Sequence, residues 1–92
     1  MNQANFIKEY VFNNADNIEN GNVSIKDGIF YHYWTPMIEK YDDMFIVNVS
    51  KYSDVTRFLQ RKIKAIIPEE KIIKVDHVSE GYKGRLIDFL NN

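Results

Sequence analysis

Residues 27–48, DGIFYHYWTPMIEKYDDMFIVN, decide the fold. Asp27-Gly28 supplies the positive φ that a tight hairpin turn requires. Residues 29–34, IFYHYW, have the β-branched and aromatic composition of a strand. Pro36 carries no N–H for a ladder, so it belongs at an edge, at a bulge or at the end of pairing. Residues 37–39 can resume that strand, KYDD at 40–43 is a second turn, and MFIVNV at 44–49 is the plainest strand of the chain. With Val23 and Ile25 just upstream, these segments read as an antiparallel meander. If 29–35 is one regular strand, Ile29, Tyr31, Tyr33 and Thr35 face one way and Phe30, His32 and Trp34 the other. Both faces then carry rings, and some of those rings need a cover or a partner.

The flanks are helical. Phe6, Ile7, Tyr10 and Val11 recur at helical spacing, which predicts a helix over 3–13. NNADNIENGN, at 13–22, favours turns, and the helix ends near Asn13 or runs on as far as Gly21. Residues 53–67 form the clearest helix, with Ser53 as N-cap and Asp54 at the positive end of the helix dipole. Its expected buried stripe is Val55, Phe58, Leu59, Ile63 and Ile66, and Pro68 ends it. KIIKVDHV, at 71–78, predicts another strand, and RLIDFLNN, at 85–92, a short C-terminal helix. The predicted order is α-β-β-β-α-β-α. This is an α+β domain with an antiparallel sheet and helices packed on one face.

With 92 residues the chain makes one small domain, 1–92, large enough for a single apolar core without disulfides or metals. It has no cysteine, which removes disulfides, thiolate catalysis and thiolate metal sites. A net charge of -1 argues against nucleic acid or membrane recognition by whole-molecule electrostatics, so any such contact must come from a local patch. No secretory leader and no membrane-length apolar run is evident, which fits a cytoplasmic location. Asn-Val-Ser occurs at Asn22 and Asn48, and without a leader both tripeptides read as chance.

No nucleotide loop, nucleophile elbow or zinc-protease motif is present. The histidines, His32 and His77, read as surface or partly buried strand residues. Asp76 and His77 are neighbours on a strand and point apart, so they are poor joint metal ligands. Neither a cofactor nor a metal is expected. Arg57, Arg61 and Lys64 follow i, i+4, i+7 spacing and share a helix face, which grips phosphates or simply meets solvent. Asp42 and Asp43 form an acidic turn.

Residues 28–67 carry a further signal in Tyr33, Thr35, Pro36, Asn48, Tyr52, Ser53, Thr56 and Gln60. This pattern resembles a family of small uncharacterised phage and mobile-element proteins. In that family a Tyr-containing T-P-I strand precedes an Asn-bearing strand, Y-S and a Thr-rich basic helix. Trp34, Met37 and Asp54-Val55 depart from the pattern. The resemblance implies a context but no mechanism: a protein of phage or mobile-element origin, acting in the cytoplasm of a bacterial host.

These readings together predict a non-enzymatic protein that binds and inhibits a host protein or nucleoprotein complex, for instance as an anti-CRISPR or other anti-defence inhibitor. The expected contact residues are Tyr31, Tyr33, Arg57, Arg61 and Lys64, with Asp42 and Asp43 as an acidic alternative. The alternative function is nucleic-acid binding through the basic face of the helix at 53–67. A homodimer remains open as a further partner, and a membrane is not expected.

Overall fold

The computed structural model describes residues 2–90. Its elements are α1 (Gln3–Asn13), β1 (Ile18–Asn20), β2 (Val23–Lys26), β3 (Ile29–His32), β4 (Thr35–Tyr41), β5 (Met44–Asn48), α2 (Asp54–Ile66), a 3-10 turn at Glu69–Lys71, β6 (Ile72–Val75) and a closing 3-10 turn at Leu86–Phe89. One six-stranded sheet runs in the order β1-β2-β3-β4-β5-β6. All neighbours are antiparallel except β5 and β6, which are parallel and joined through α2. The α+β class and the order of helices and strands match the expectation, with the meander more finely divided. Asn91 and Asn92, the end of the expected C-terminal helix, lie outside the described residues.

The division comes from the turns. Each of the four hairpins has a two-residue loop, as the pairs Asn20↔Val23, Lys26↔Ile29, His32↔Thr35 and Tyr41↔Met44 show. The first loop residue in each has a left-handed φ: Gly21 at 65°, Asp27 at 53°, Tyr33 at 56° and Asp42 at 54°. The expected continuous strand over 29–34 is therefore corrected, because it ends at His32 and reverses at Tyr33-Trp34. Tyr33 and Trp34 belong to neither face of the sheet. Pro36 does sit at a bulge. Tyr31 pairs with Pro36 and Phe30 with Ile38, so Met37 is the extra residue and the missing proline N–H falls where the register shifts. Strand β1 was hidden inside a turn-forming composition.

One face of the sheet carries the main core. Phe6, Ile7 and Tyr10 of α1 and Leu59 and Ile63 of α2 pack on Val23, Ile25, Phe30, Met37, Ile38 and Val47. Phe6 and Tyr10 both meet Phe30 edge-on, with ring centroids 5.8 Å apart, a favoured aromatic geometry. The Tyr10 hydroxyl donates to Gly28 O at 2.6 Å, which ties the helix to the β2–β3 turn. Helix α1 is capped at both ends. Asn2 Oδ1 accepts the Asn5 N–H, and left-handed Asn14 lets Ala15 N–H reach back to Glu9 O. The buried stripe of α2 is Thr56, Leu59 and Ile63, continued by Ile67, whereas Val55 and Phe58 face solvent, contrary to expectation.

The opposite face is covered over β4–β6 by the chain after β6. Ile46, Val75, Val78 and Leu86 form this second, smaller core. Glu39 fastens it. The carboxylate is 2% exposed, accepts from Arg85 Nη2 at 2.9 Å and Nε at 3.2 Å, and takes the Leu86 N–H at 2.9 Å. Bonds to an ionised acceptor beneath a protein cover are the strong kind. Among the described residues no helix is long and apolar enough to cross a membrane.

Glu39→Ala strands the Leu86 N–H and is expected to lower stability by about 2–3 kcal/mol in urea denaturation. Glu39→Gln, which keeps an acceptor for Leu86, should lose less. Equal midpoints for Glu39→Ala and the parent would show that Glu39 does not anchor the C-terminal segment.

Candidate functional site

The loops at one end of the sheet converge on a cleft of about 390 Å³ lined by His32, Tyr33, Trp34, Thr35, Tyr52, Ser53, Thr56, Glu80 and Gly81. The first four come from the β3–β4 reversal, the next three from the start of α2, and the last two from the chain beyond β6.

A buried polar knot holds these segments together. Asn48, at the end of β5, donates through Nδ2 to Pro36 O and to the Tyr52 hydroxyl, both at 2.9 Å, while its Oδ1 accepts the Ser50 N–H at 2.9 Å. Tyr52 donates in turn to Val78 O, and Ser50 Oγ accepts the Val78 N–H. From α2, Gln60 Nε2 reaches Asn48 O and Ser50 O. Thr35 Oγ1 accepts the Gly81 N–H at 2.8 Å across the cleft mouth. Complete satisfaction of buried polar groups fixes one arrangement of the loops. Asn48 is fully buried, and its bonded amide has no room for a glycan.

His32 is the most deeply buried lining group, at 3% exposure. Its Nδ1 lies 3.2 Å from Thr56 Oγ1, which is 3.4 Å from Ser53 Oγ. Its Nε2 has no partner, and it is the buried side-chain atom so left among the described residues. Such an atom forgoes water without compensation, at a cost of about 1–3 kcal/mol. Ser53 stands at the N-cap of α2 as expected, but its hydroxyl makes no capping bond and turns to Thr56 instead. Among the described residues no carboxylate bonds to the imidazole, so the hydroxyl–imidazole contact lacks the third member of an acid-supported triad there. The lining offers recognition chemistry: ring faces, hydroxyls, one unpaired ring nitrogen and one carboxylate.

Tyr33 and Trp34 form the outer wall and are 61% and 83% exposed. The Tyr33 ring leans on His32 with centroids 4.8 Å apart, and its N–H donates to Asn22 O of the neighbouring turn at 2.7 Å.

The sequence-derived contact residues are distributed over several surfaces. Tyr33 is in the cleft. Tyr31 is half-buried, pairs with Ser24 on the sheet face away from the helices, and has its phenol pushed above the ordinary value by burial and by Asp27 and Glu39. Arg57, Arg61 and Lys64 share a separate shallow hollow of about 180 Å³ with Gln60 and Val47 to Val49. There Asp54 lies 3.8 Å from Arg57, and Arg61 covers the Phe58 ring. Asp42 and Asp43 occupy the β4–β5 turn, where Asp43 meets Lys71 at 3.4 Å.

The residue reading passed over Trp34, His32, Tyr52, Thr56 and Glu80 as a group. A signal was nevertheless present. Tyr33, Thr35, Tyr52, Ser53 and Thr56, five of the positions that carry the resemblance, line this cleft, and Pro36, Asn48 and Gln60 belong to the knot beneath it. Comparison with protein families, with curated proteins and with solved structures finds no match to this chain.

Burial also pushes the His32 pKa below its ordinary 6.5. As pH falls through that value the unfolded chain binds a proton that the folded chain refuses. This contribution to stability is therefore full above the unfolded pKa and declines below it until the depressed folded value is reached. The urea midpoint should drop as pH falls below about 6.5, and His32→Gln should flatten that part of the profile. A decline that persists unchanged in His32→Gln would assign it to other groups.

Proposed function

We propose that this protein is a non-enzymatic binding module that engages a macromolecular partner through the Tyr33-Trp34 tip and the cleft behind it. The supporting observation is the composition of that turn. Three of the four hairpins place Gly or Asp at the left-handed position, residues that tolerate it; the fourth places Tyr33 there. A left-handed backbone costs a bulky residue about 1–2 kcal/mol. The same turn holds the chain's single Trp in water, although burying it would be favourable. Strain and exposed aromatic area at one tip have a common use, since rigid Tyr and Trp side chains anchor interfaces. Inhibition of a host protein or nucleoprotein complex, including an anti-CRISPR or other anti-defence role, is one form of this activity. The resemblance to phage and mobile-element proteins is what favours that form.

A second reading places nucleic acid on α2. It is favoured by the hollow in which Arg57, Arg61 and Lys64 converge on the end of β5. Phosphate contacts there would make binding fall steeply with salt.

Replacing Tyr33-Trp34 by Gly-Asn copies the chain's own turn at Gly21-Asn22. The Tyr33→Gly/Trp34→Asn variant is expected to retain or gain up to about 1 kcal/mol of stability in thermal unfolding. It should also lose the partner captured by the parent protein under crosslinking. Capture that survives this exchange but disappears on Arg57→Glu/Arg61→Glu, together with a salt-dependent shift of DNA or RNA, selects the second reading.

A further inference from the structure

The cleft has a charge character opposite to that of the hollow on α2. No Lys or Arg lines it, and Glu80 is its one formally charged group while His32 stays neutral. The Glu80 carboxylate opposes an anion, even though a helix N-terminus alone would welcome one. Tyr33, Trp34 and Tyr52 contribute three aromatic rings to the lining. Ring faces attract cations, and planar guanidinium stacks on them better than ammonium does.

The buried end points the same way. His32 Nδ1 lies 3.2 Å from Thr56 Oγ1 and its Nε2 has no partner; in the tautomer that donates Nδ1–H to Thr56, Nε2 is an acceptor. In that tautomer a partner's N–H donor would satisfy it. Thr35 and Ser53 add hydroxyl oxygens to the same lining. A group that offers several N–H donors in a plane, stacks on aromatic rings and carries positive charge is a guanidinium.

We propose that the cleft is a receptor for an arginine side chain of a protein partner, stacked between the Tyr33-Trp34 wall and Tyr52 and paired with Glu80. This assignment rests on the binding-module reading and gives its partner a chemistry. A basic segment meets the aromatic, acidic end of the molecule, while the partner's acidic or phosphate-bearing parts have no place there.

Trp34 is the only tryptophan, so its fluorescence reports the environment of one cleft-wall residue. The test titrates the full chain with acetyl-Gly-Arg-Gly-amide, with the Lys and citrulline analogues and with inorganic phosphate. The ¹⁵N shift of His32 Nε2 is followed in parallel. The Arg peptide should give a saturable response that moves both signals and weakens with salt. The Lys analogue and the Glu80→Gln variant should each bind about tenfold more weakly, the loss of one well-placed charge-assisted contact. The citrulline analogue should not bind, and phosphate should not compete. Glu80 is exposed, so Glu80→Gln is expected to fold, and its circular dichroism checks that it does. Equal binding of Lys and Arg, retention of affinity in Glu80→Gln, or saturation by phosphate overturns the proposal. So does a partner whose capture requires Tyr33 and Trp34 yet survives substitution of all its arginines, a result that leaves the binding-module reading standing.

Discussion

The side chain of Asn48 is the constraint on which the arrangement of the loops depends. It sits where the antiparallel meander ends and the crossover through α2 begins. A fully buried amide in that position must satisfy one acceptor and two donor hydrogens within the protein. Pro36, Tyr52 and Ser50 meet those demands, and Gln60 holds the backbone of the same stretch from α2. The polar demands of one residue thereby place β4, the approach to α2 and the chain after β6 at fixed distances. An apolar residue of the same size would fill the space but would not specify those positions. The cleft lining inherits its geometry from this knot, since Tyr52 is both a knot member and a wall residue and Thr35 stands next to Pro36.

Much of the fold was legible in the sequence because several local signals agreed. Apolar residues at helical spacing located α1 from residue 3, with its end left open between Asn13 and Gly21. Asp27-Gly28 marked a turn, Pro36 marked an edge, a bulge or the end of pairing, and Ser53 and Pro68 bracketed α2. The failures are physical and specific. Tyr33-Trp34 turns without any turn-forming residue, so alternation was carried two residues too far. Ile18, in a stretch rich in Asn and Asp, gave no strand signal because an edge strand of three residues needs little apolar content. Val55 and Phe58 have apolar composition at helical spacing, yet the buried stripe is centred on Leu59 and Ile63 and takes Thr56, whose hydroxyl faces His32. Of the candidate site, the sequence reading found Tyr33. It could not assemble the rest, because residues from 32 to 81 meet only after the sheet forms. The acidic and basic candidates are separate surface features.

Helix α2 has distinct functions on its sides and at its end. Leu59 and Ile63 hold it to the sheet, Arg57 and Lys64 face a hollow beside β5, and Ser53 and Thr56 open onto the aromatic cleft. Its hydroxyl-bearing first turn and its cationic outer side are within a few residues of each other but serve surfaces of opposite charge character. A small domain can in this way present a cation-attracting and an anion-attracting region without a large net charge, consistent with a formal charge of -1.

The parallel pairing of β5 with β6 sets an order of assembly. Every strand contact from β1 to β5 is made between chain neighbours across two-residue loops, whereas Ile46 meets Ile73 only after α2 has been bridged. Local pairings close early, and non-local ones wait for the entropy of the longer loop to be overcome. Glu80 and Gly81 arrive with that last closure, so the meander alone cannot contain a complete cleft. A ligand bound in the cleft would consequently select a state in which the whole sheet is closed, and by mass action would hold β6 and the C-terminal segment in place.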